Sequence, residues 1–161
     1  MARVHDAKLL TQMVREAQEL YSTEVVDRVK NVQGVEVSHD YTINKNTIPL
    51  PPTLTMILAQ RISENQLGTV RLYSDLPFRS RSNRPVLDEF QNDALEALRK
   101  NSTEPYYRFE DWQGRPSLRY TTADVMRKQC LACHNEHPDS PKRDWKEGDV
   151  RGVLEVILPL D

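Results

Sequence analysis

Tyr106-Tyr107-Arg108-Phe109-Glu110-Asp111, followed by Gln113-Gly114 and then by Pro116-Ser117-Leu118-Arg119-Tyr120-Thr121, is the stretch that decides the fold class. Two runs of β-formers flank a glycine-containing turn, which predicts an antiparallel hairpin. Downstream, Thr122 reads as the cap of a short helix running through Ala123, Val125 and Met126 into Cys130-Leu131-Ala132-Cys133-His134. Pro138 to Gly148 is a polar loop. Asp149 to Pro159, with Val153, Leu154, Val156, Ile157 and Leu158, is a last strand.

Upstream of the hairpin, Val86 to Lys100 reads as a helix with Phe90, Ala94, Ala97 and Leu98 on one face, and with Asp88 and Glu89 at its positive end. Arg79 to Pro85 is a basic loop, and Thr69 to Tyr73 a strand. Pro51-Pro52 opens another helix that runs to about Glu64. From His5 to Asn31, Leu10, Met13, Val14, Ala17, Tyr21, Val25 and Val29 recur at steps of three and four, and Gly34 ends the pattern. A helix of that length spans about 40 Å, so its first turns are expected to project beyond the core. The order predicts an α+β domain, mainly an antiparallel sheet flanked by helices, with a long N-terminal helix. A PAS-like sheet with helices on one face accommodates it. One domain is expected over 1–161, with the long helix at 1–33 and the core at 48–159.

The 161 residues include 22 lysines and arginines against 24 aspartates and glutamates, a net charge of -2. That balance argues against neutralisation of nucleic-acid phosphates as the main task, so no nucleic-acid partner is expected. No apolar run reaches membrane-spanning length. Met1 to Asp6 has no secretory apolar stretch.

The only two cysteines stand three positions apart in Cys130-Leu131-Ala132-Cys133-His134. C-x-x-C-H is the pattern of c-type haem attachment. Two thiols about one helical turn apart can add to the two vinyl groups of one porphyrin, and the following imidazole then lies at the proximal iron position. Three readings compete. A zinc site of Cys130, Cys133, His134 and His137 would strain a tetrahedron, because structural zinc takes two separated pairs. A thiol redox pair would sit in a βαβ context, which this order lacks. The third is two ordinary core cysteines beside a satisfied histidine.

Further residues join the motif in a recognisable pattern: Leu72-Tyr73-Ser74-Asp75-Leu76-Pro77-Phe78, Pro105-Tyr106-Tyr107, Leu118-Arg119-Tyr120, then His137-Pro138-Asp139-Ser140-Pro141-Lys142, Asp144-Trp145-Lys146 and Gly148-Asp149-Val150-Arg151-Gly152, with Thr47-Ile48-Pro49-Leu50-Pro51 before them. Together they resemble the Tll-type, PAS-like haem c sensory domain. That family includes free-standing cyanobacterial proteins and extracytoplasmic input domains of histidine kinases and nucleotide cyclases. The resemblance covers about Ile48 to Pro159. It implies a PAS-like fold and one covalent haem c on Cys130 and Cys133, with His134 as proximal ligand. It also implies redox or gas sensing. In some haem proteins a cysteine thiolate is the second axial ligand. Here both cysteines belong to the motif, which leaves another residue, water or an open position.

For that second axial position the sequence offers Met56, beside the apolar face of its helix, and His39, in a polar loop. A thioether raises a haem potential, whereas a second imidazole favours a lower one. Core packing and a solvated turn are the ordinary alternatives. Met126 is expected against the porphyrin edge. His137 is too close in sequence to His134 to reach the other face, and His5 sits at the exposed start of the first helix. Haem propionates want basic partners, for which Arg71, Arg79, Arg81 and Arg119 are candidates, Arg119 foremost. Tyr106, Tyr107, Tyr120 and Trp145 are candidate pocket aromatics.

Three functions follow in order. The first is a sensor responding to redox state, NO or CO and passing the change to a linked kinase or cyclase module, with a homodimer as a further expectation. The second is a monohaem electron-transfer cytochrome. An enzyme ranks last, because no distal acid–base motif is visible. Both chain ends read as cut from something larger. Since bacterial haem c is normally attached outside the cytoplasm, a periplasmic or extracytoplasmic and membrane-anchored parent protein is expected.

Overall fold

The computed structural model describes residues 2–79 and 83–160. Its centre is a four-stranded antiparallel sheet in the order β3-β6-β5-β4, formed by β3 (Thr69–Tyr73), β4 (Tyr106–Trp112), β5 (Arg115–Val125) and β6 (Val150–Pro159). The hairpin is as the sequence predicts. Gln113 and Gly114 both take positive φ, 51° and 79°, which matches a two-residue turn to the strands' twist. β5 departs from expectation. Thr122 caps no helix, because β5 runs on to Val125 with Thr122 opposite Leu154 and Ala123 opposite Val153. The motif helix α5 (Lys128–Glu136) starts later, with Arg127 at its N-cap.

Helices cover both faces of the sheet, not one. The alternation of β6 sends Leu154, Val156 and Leu158 to one face, where they join Leu118 and Tyr120 of β5 and Val70 of β3. The same cluster takes in Ala7 and Val14 of α1 (Ala2–Tyr21) and Ala59 of α3 (Pro51–Glu64). The other face carries Tyr73, Ala123 and Val153, packed by Leu95 and Leu98 of α4 (Glu89–Lys100). Cover on both sides explains why β6 reads as an almost unbroken apolar run. α4 begins three residues later than predicted. The Asp88 side chain accepts from Gln91 N–H while the Gln91 side chain accepts from Asp88 N–H, a reciprocal cap that fixes the start.

α1 continues through a π-helical turn, Ser22–Val26, into α2 (Asp27–Val29). Its buried stripe is Ala7, Thr11 and Val14, with Val4 and Leu10 at the margin, so the first turns pack on the core and do not project from it. Met13 and Val25 lie on the outer side, 60% and 41% exposed. β1 (Glu36–Val37) and β2 (Thr47–Ile48) form a short parallel pair on either side of the polar loop that holds His39. Among the described residues no helix is long and apolar enough to cross a membrane.

Candidate haem cleft

A cleft of about 410 Å³ lies where the end of α1, the first half of α3, the residues after β3 and α5 meet. α1 contributes Gln18 and continues into Ser22. α3 contributes Pro51, Pro52 and Met56, and the chain after β3 contributes Leu76, Pro77 and Phe78. α5 contributes Cys130, Cys133 and His134, and Trp145, Arg151 and Gly152 close the wall. Apolar walls with a few convergent polar groups suit a flat organic ligand.

α5 brings both sulfurs and the imidazole to this cleft because residues 130, 133 and 134 share one face at helical spacing. Both thiols are free, with Cys133 exposed and Cys130 half-buried. No α5 residue is buried. The helix is held from its flanks. The Asn135 side chain bonds both ways with the Trp145 backbone, donating to its carbonyl at 3.0 Å and accepting its N–H at 2.8 Å. Met126 is clamped through its backbone to Gly148 and Asp149.

The His134 ring stacks on Phe78, with centroids 5.0 Å apart and planes 15° from parallel. Its Nε2 lies 2.8 Å from an Arg151 guanidinium nitrogen, so Nε2 accepts and the ring is neutral with its proton on Nδ1. Burial, and then the Arg151 charge, lower the His134 pKa to about 4. Arg151 is itself anchored by Nε donating to Asp124 at 2.9 Å. Gly152, next in the chain, allows β6 to approach β3: a Cβ there would stand 2.6 Å from the Tyr73 carbonyl oxygen.

Three ties connect the cleft to α1. Arg127, at the start of α5, pairs with Glu19 at 2.5 Å. The Thr55 hydroxyl donates to Gln18 at 2.8 Å. Arg15 donates to the Thr122 hydroxyl and the Ala123 carbonyl at 2.7 and 2.8 Å. Burial lowers the Arg15 pKa.

Of the expected site residues, Cys130, Cys133, His134, Met56, His39, His137 and Trp145 line the cleft together. The remainder do not. Arg119 is a correction: it points to the α4 face, where Glu155 and Asp88 hold it and Phe90 lies 4.2 Å beneath it. Arg71 pairs with the same Glu155, and Arg79 is not part of the cleft wall. Arg81 lies outside the described residues. Tyr120 sits in the α1–α3 core, stacked on Tyr107, and Tyr106 packs on Phe90. Met126 is buried outside the cleft lining. Among the described residues, the cations that line the cleft are Arg84, Arg127 and Arg151. Arg151 and Phe78, which the sequence reading did not name as site residues, reach the site through contacts with His134 that are remote in sequence. Among the described residues no three His, Cys, Asp or Glu side chains converge as a metal site, so the competing zinc set of Cys130, Cys133, His134 and His137 does not assemble.

A family model described as Tll0287-like matches residues 2–159. Among solved structures, the crystal structure of the cyanobacterial heme-protein Tll0287 superimposes with a TM-score of 0.58 at 17% identity, covering 96% of each chain. No curated protein matches the sequence.

Proposed function

The chain belongs to the Tll0287-like family, and from that premise we propose that it is a haem c sensory domain. The observation that carries the reading is that Cys130, Cys133 and His134 face one largely apolar cleft from a single helix. The donor set fits the group. The two thiols would form the thioether links, and His134 Nε2, whose lone pair Arg151 engages at 2.8 Å, would offer that lone pair to a metal once Arg151 releases it. Arg127 and Arg151 supply positive charge for carboxylates at the cleft wall. The bound haem would supply an iron that changes oxidation state and takes diatomic ligands.

The residues of the chain do the rest. Phe78 fixes the plane of the His134 ring, and Leu76, Pro77 and Trp145 exclude water. A change at the cleft reaches α1 through Arg127–Glu19, Thr55–Gln18 and Arg15–Thr122. α1 therefore carries the change towards the N-terminus, and a state that binds NO or CO differently shifts the population only by that difference. On this reading the parent protein is extracytoplasmic, membrane-anchored and linked to a kinase or cyclase module. The exposure of Cys133 favours a second reading, electron transfer, because it places the attachment edge near solvent.

The test is absorption spectroscopy of protein from cells able to make cytochromes c, oxidised and reduced, with and without CO and NO. Haem that stays on the polypeptide after denaturation, and is lost in Cys130→Ala/Cys133→Ala, supports attachment. Spectral change with either gas supports sensing. A spectrum indifferent to both gases moves the reading to electron transfer, and no haem bands at all would overturn it.

A further inference from the structure

We propose that Arg151 is the positioning residue of the proximal imidazole. Before haem is attached it fixes the tautomer of His134, and so decides which of two neighbouring histidines can offer its Nε2 lone pair to iron. The assignment rests on the haem c reading above and deepens it.

The ladder between β5 and β6 places the guanidinium. Asp124 stands opposite Gly152 and Val125 opposite Val150, so Arg151 is the extra residue of a bulge. A bulge beside a site re-aims a side chain. Strict alternation from Val153, which faces α4, would send Arg151 to the α4 face as well. Instead Val150 joins Val153 on that face, and Arg151 lines the cleft. Two bonds hold it there. The Ser74 hydroxyl donates to the Arg151 carbonyl at 2.5 Å, and Arg151 Nε donates to Asp124 at 2.9 Å. Ser74 also accepts the Leu76 N–H at 3.0 Å, which ties the segment leading to Phe78 to the same bulge.

Phe78 packs against both histidine rings, 5.0 Å from His134 and 5.1 Å from His137, so two imidazoles share one wall of the cleft. Their hydrogen bonds give them opposite tautomers. His137 Nδ1 accepts the Asp139 N–H at 3.1 Å, which leaves the proton of that ring on Nε2. His134 Nε2 lies 2.8 Å from Arg151 Nη1. A guanidinium stays charged and can only donate, so His134 Nε2 is bare and Nδ1 carries the proton. Of the two rings, His134 therefore presents the Nε2 lone pair that a metal takes. A metal-binding histidine usually has its tautomer set by a partner on the other nitrogen. Here a cation does so at the ligating nitrogen itself, and iron would take its place.

The test is nitrogen NMR of the histidine rings in the full chain prepared without haem, at neutral pH with the thiols reduced. The wild type is expected to show His134 protonated on Nδ1 and bare on Nε2, and His137 the reverse. Arg151→Met, which keeps the length of the side chain but has no donor, should turn His134 into a mixture of both tautomers and leave His137 unchanged. Asp124→Ala, which keeps Arg151 but removes its anchor, should move His134 part of the way to that mixture. It decides the matter should Arg151→Met not fold. A wild-type His134 with its proton on Nε2 overturns the assignment, as does a wild-type pattern that survives in Arg151→Met or, failing that variant, in Asp124→Ala. Covalent haem on the wild type from cells able to make cytochromes c is scored separately. Haem without the tautomer pattern overturns the role of Arg151 alone, and no haem overturns both readings.

Discussion

Arg119 grips the fully buried carboxylate of Glu155 in two places, Nε to Oε2 at 2.7 Å and Nη2 to Oε1 at 3.2 Å, on the α4 face of the sheet. Asp88 at the start of α4 takes a third arginine proton at 2.9 Å. Removing one partner strands the other in a dry interior. Arg119→Met is expected to cost about 3–5 kcal/mol, read as a fall in urea midpoint at unchanged slope. Arg119→Met/Glu155→Leu should recover part of that loss. A double variant less stable than Arg119→Met would contradict the account.

Asp88 serves both the helix cap and Arg119. Burial works to raise its pKa but is outweighed by the Gln91 N–H and by Arg119, which together lower it. Asp88→Asn keeps the cap and loses the charge. Asp88→Ala loses both, and should cost about 1 kcal/mol more than Asp88→Asn. Equal chemical-denaturation midpoints for the two variants would refute the capping role.

His134 makes the haem-free protein sensitive to acid. Its pKa is about 4 when folded, below the ordinary 6.5, so the unfolded chain binds the extra proton. The stabilisation is therefore full above 6.5 and lost as pH falls from 6.5 towards 4. The site is partly solvated, which reduces the effect to about 1–2 kcal/mol. Denaturation of reduced, haem-free protein at pH 7 and pH 5 measures it. His134→Gln should flatten the difference.

Gly152 and Gly148 separate crowding from backbone strain. Gly152→Ala would press a Cβ on the Tyr73 carbonyl, and is expected to cost about 1–3 kcal/mol and loosen β3 from β6 beside the cleft. Gly148, at φ 89°, has open space around it. Gly148→Ala should cost about 1 kcal/mol from conformation alone. Thermal melts rank the two, and hydrogen exchange at Tyr73 is expected to rise only in Gly152→Ala.

The hairpin was legible because its turn chemistry is local: Gln113-Gly114 between alternating runs leaves one geometry. Cys130, Cys133 and His134 were legible because their spacing is itself the chemistry. Thr122 to Met126 misled because Ala123, Val125 and Met126 fit helical spacing as well as a strand. Only the ladder to β6, with Asp124 opposite Gly152, decides between them. Arg119 was read as a propionate partner because its own partner, Glu155, is 36 positions away. Strand parity sets it with Thr121 and Ala123, opposite Tyr120, and Glu155 inside an apolar run was the sign that a buried cation was needed. Arg151 and Phe78 act through contacts across 17 and 56 positions, which no local pattern reports.

α5 buries none of its own residues and is held by contacts of His134 and Asn135 and by the Met126 backbone before it. A helix of nine residues with no interior to lean on is a poor folding unit by itself. Whatever fills the cleft therefore takes the place of the missing interior for this end of the molecule. The sheet with α1, α3 and α4 forms a finished body, while residues 127–149 are a clasp completed by its cargo. Proteases should distinguish loaded from unloaded protein by cutting the unloaded form in that clasp first, with the sheet left intact.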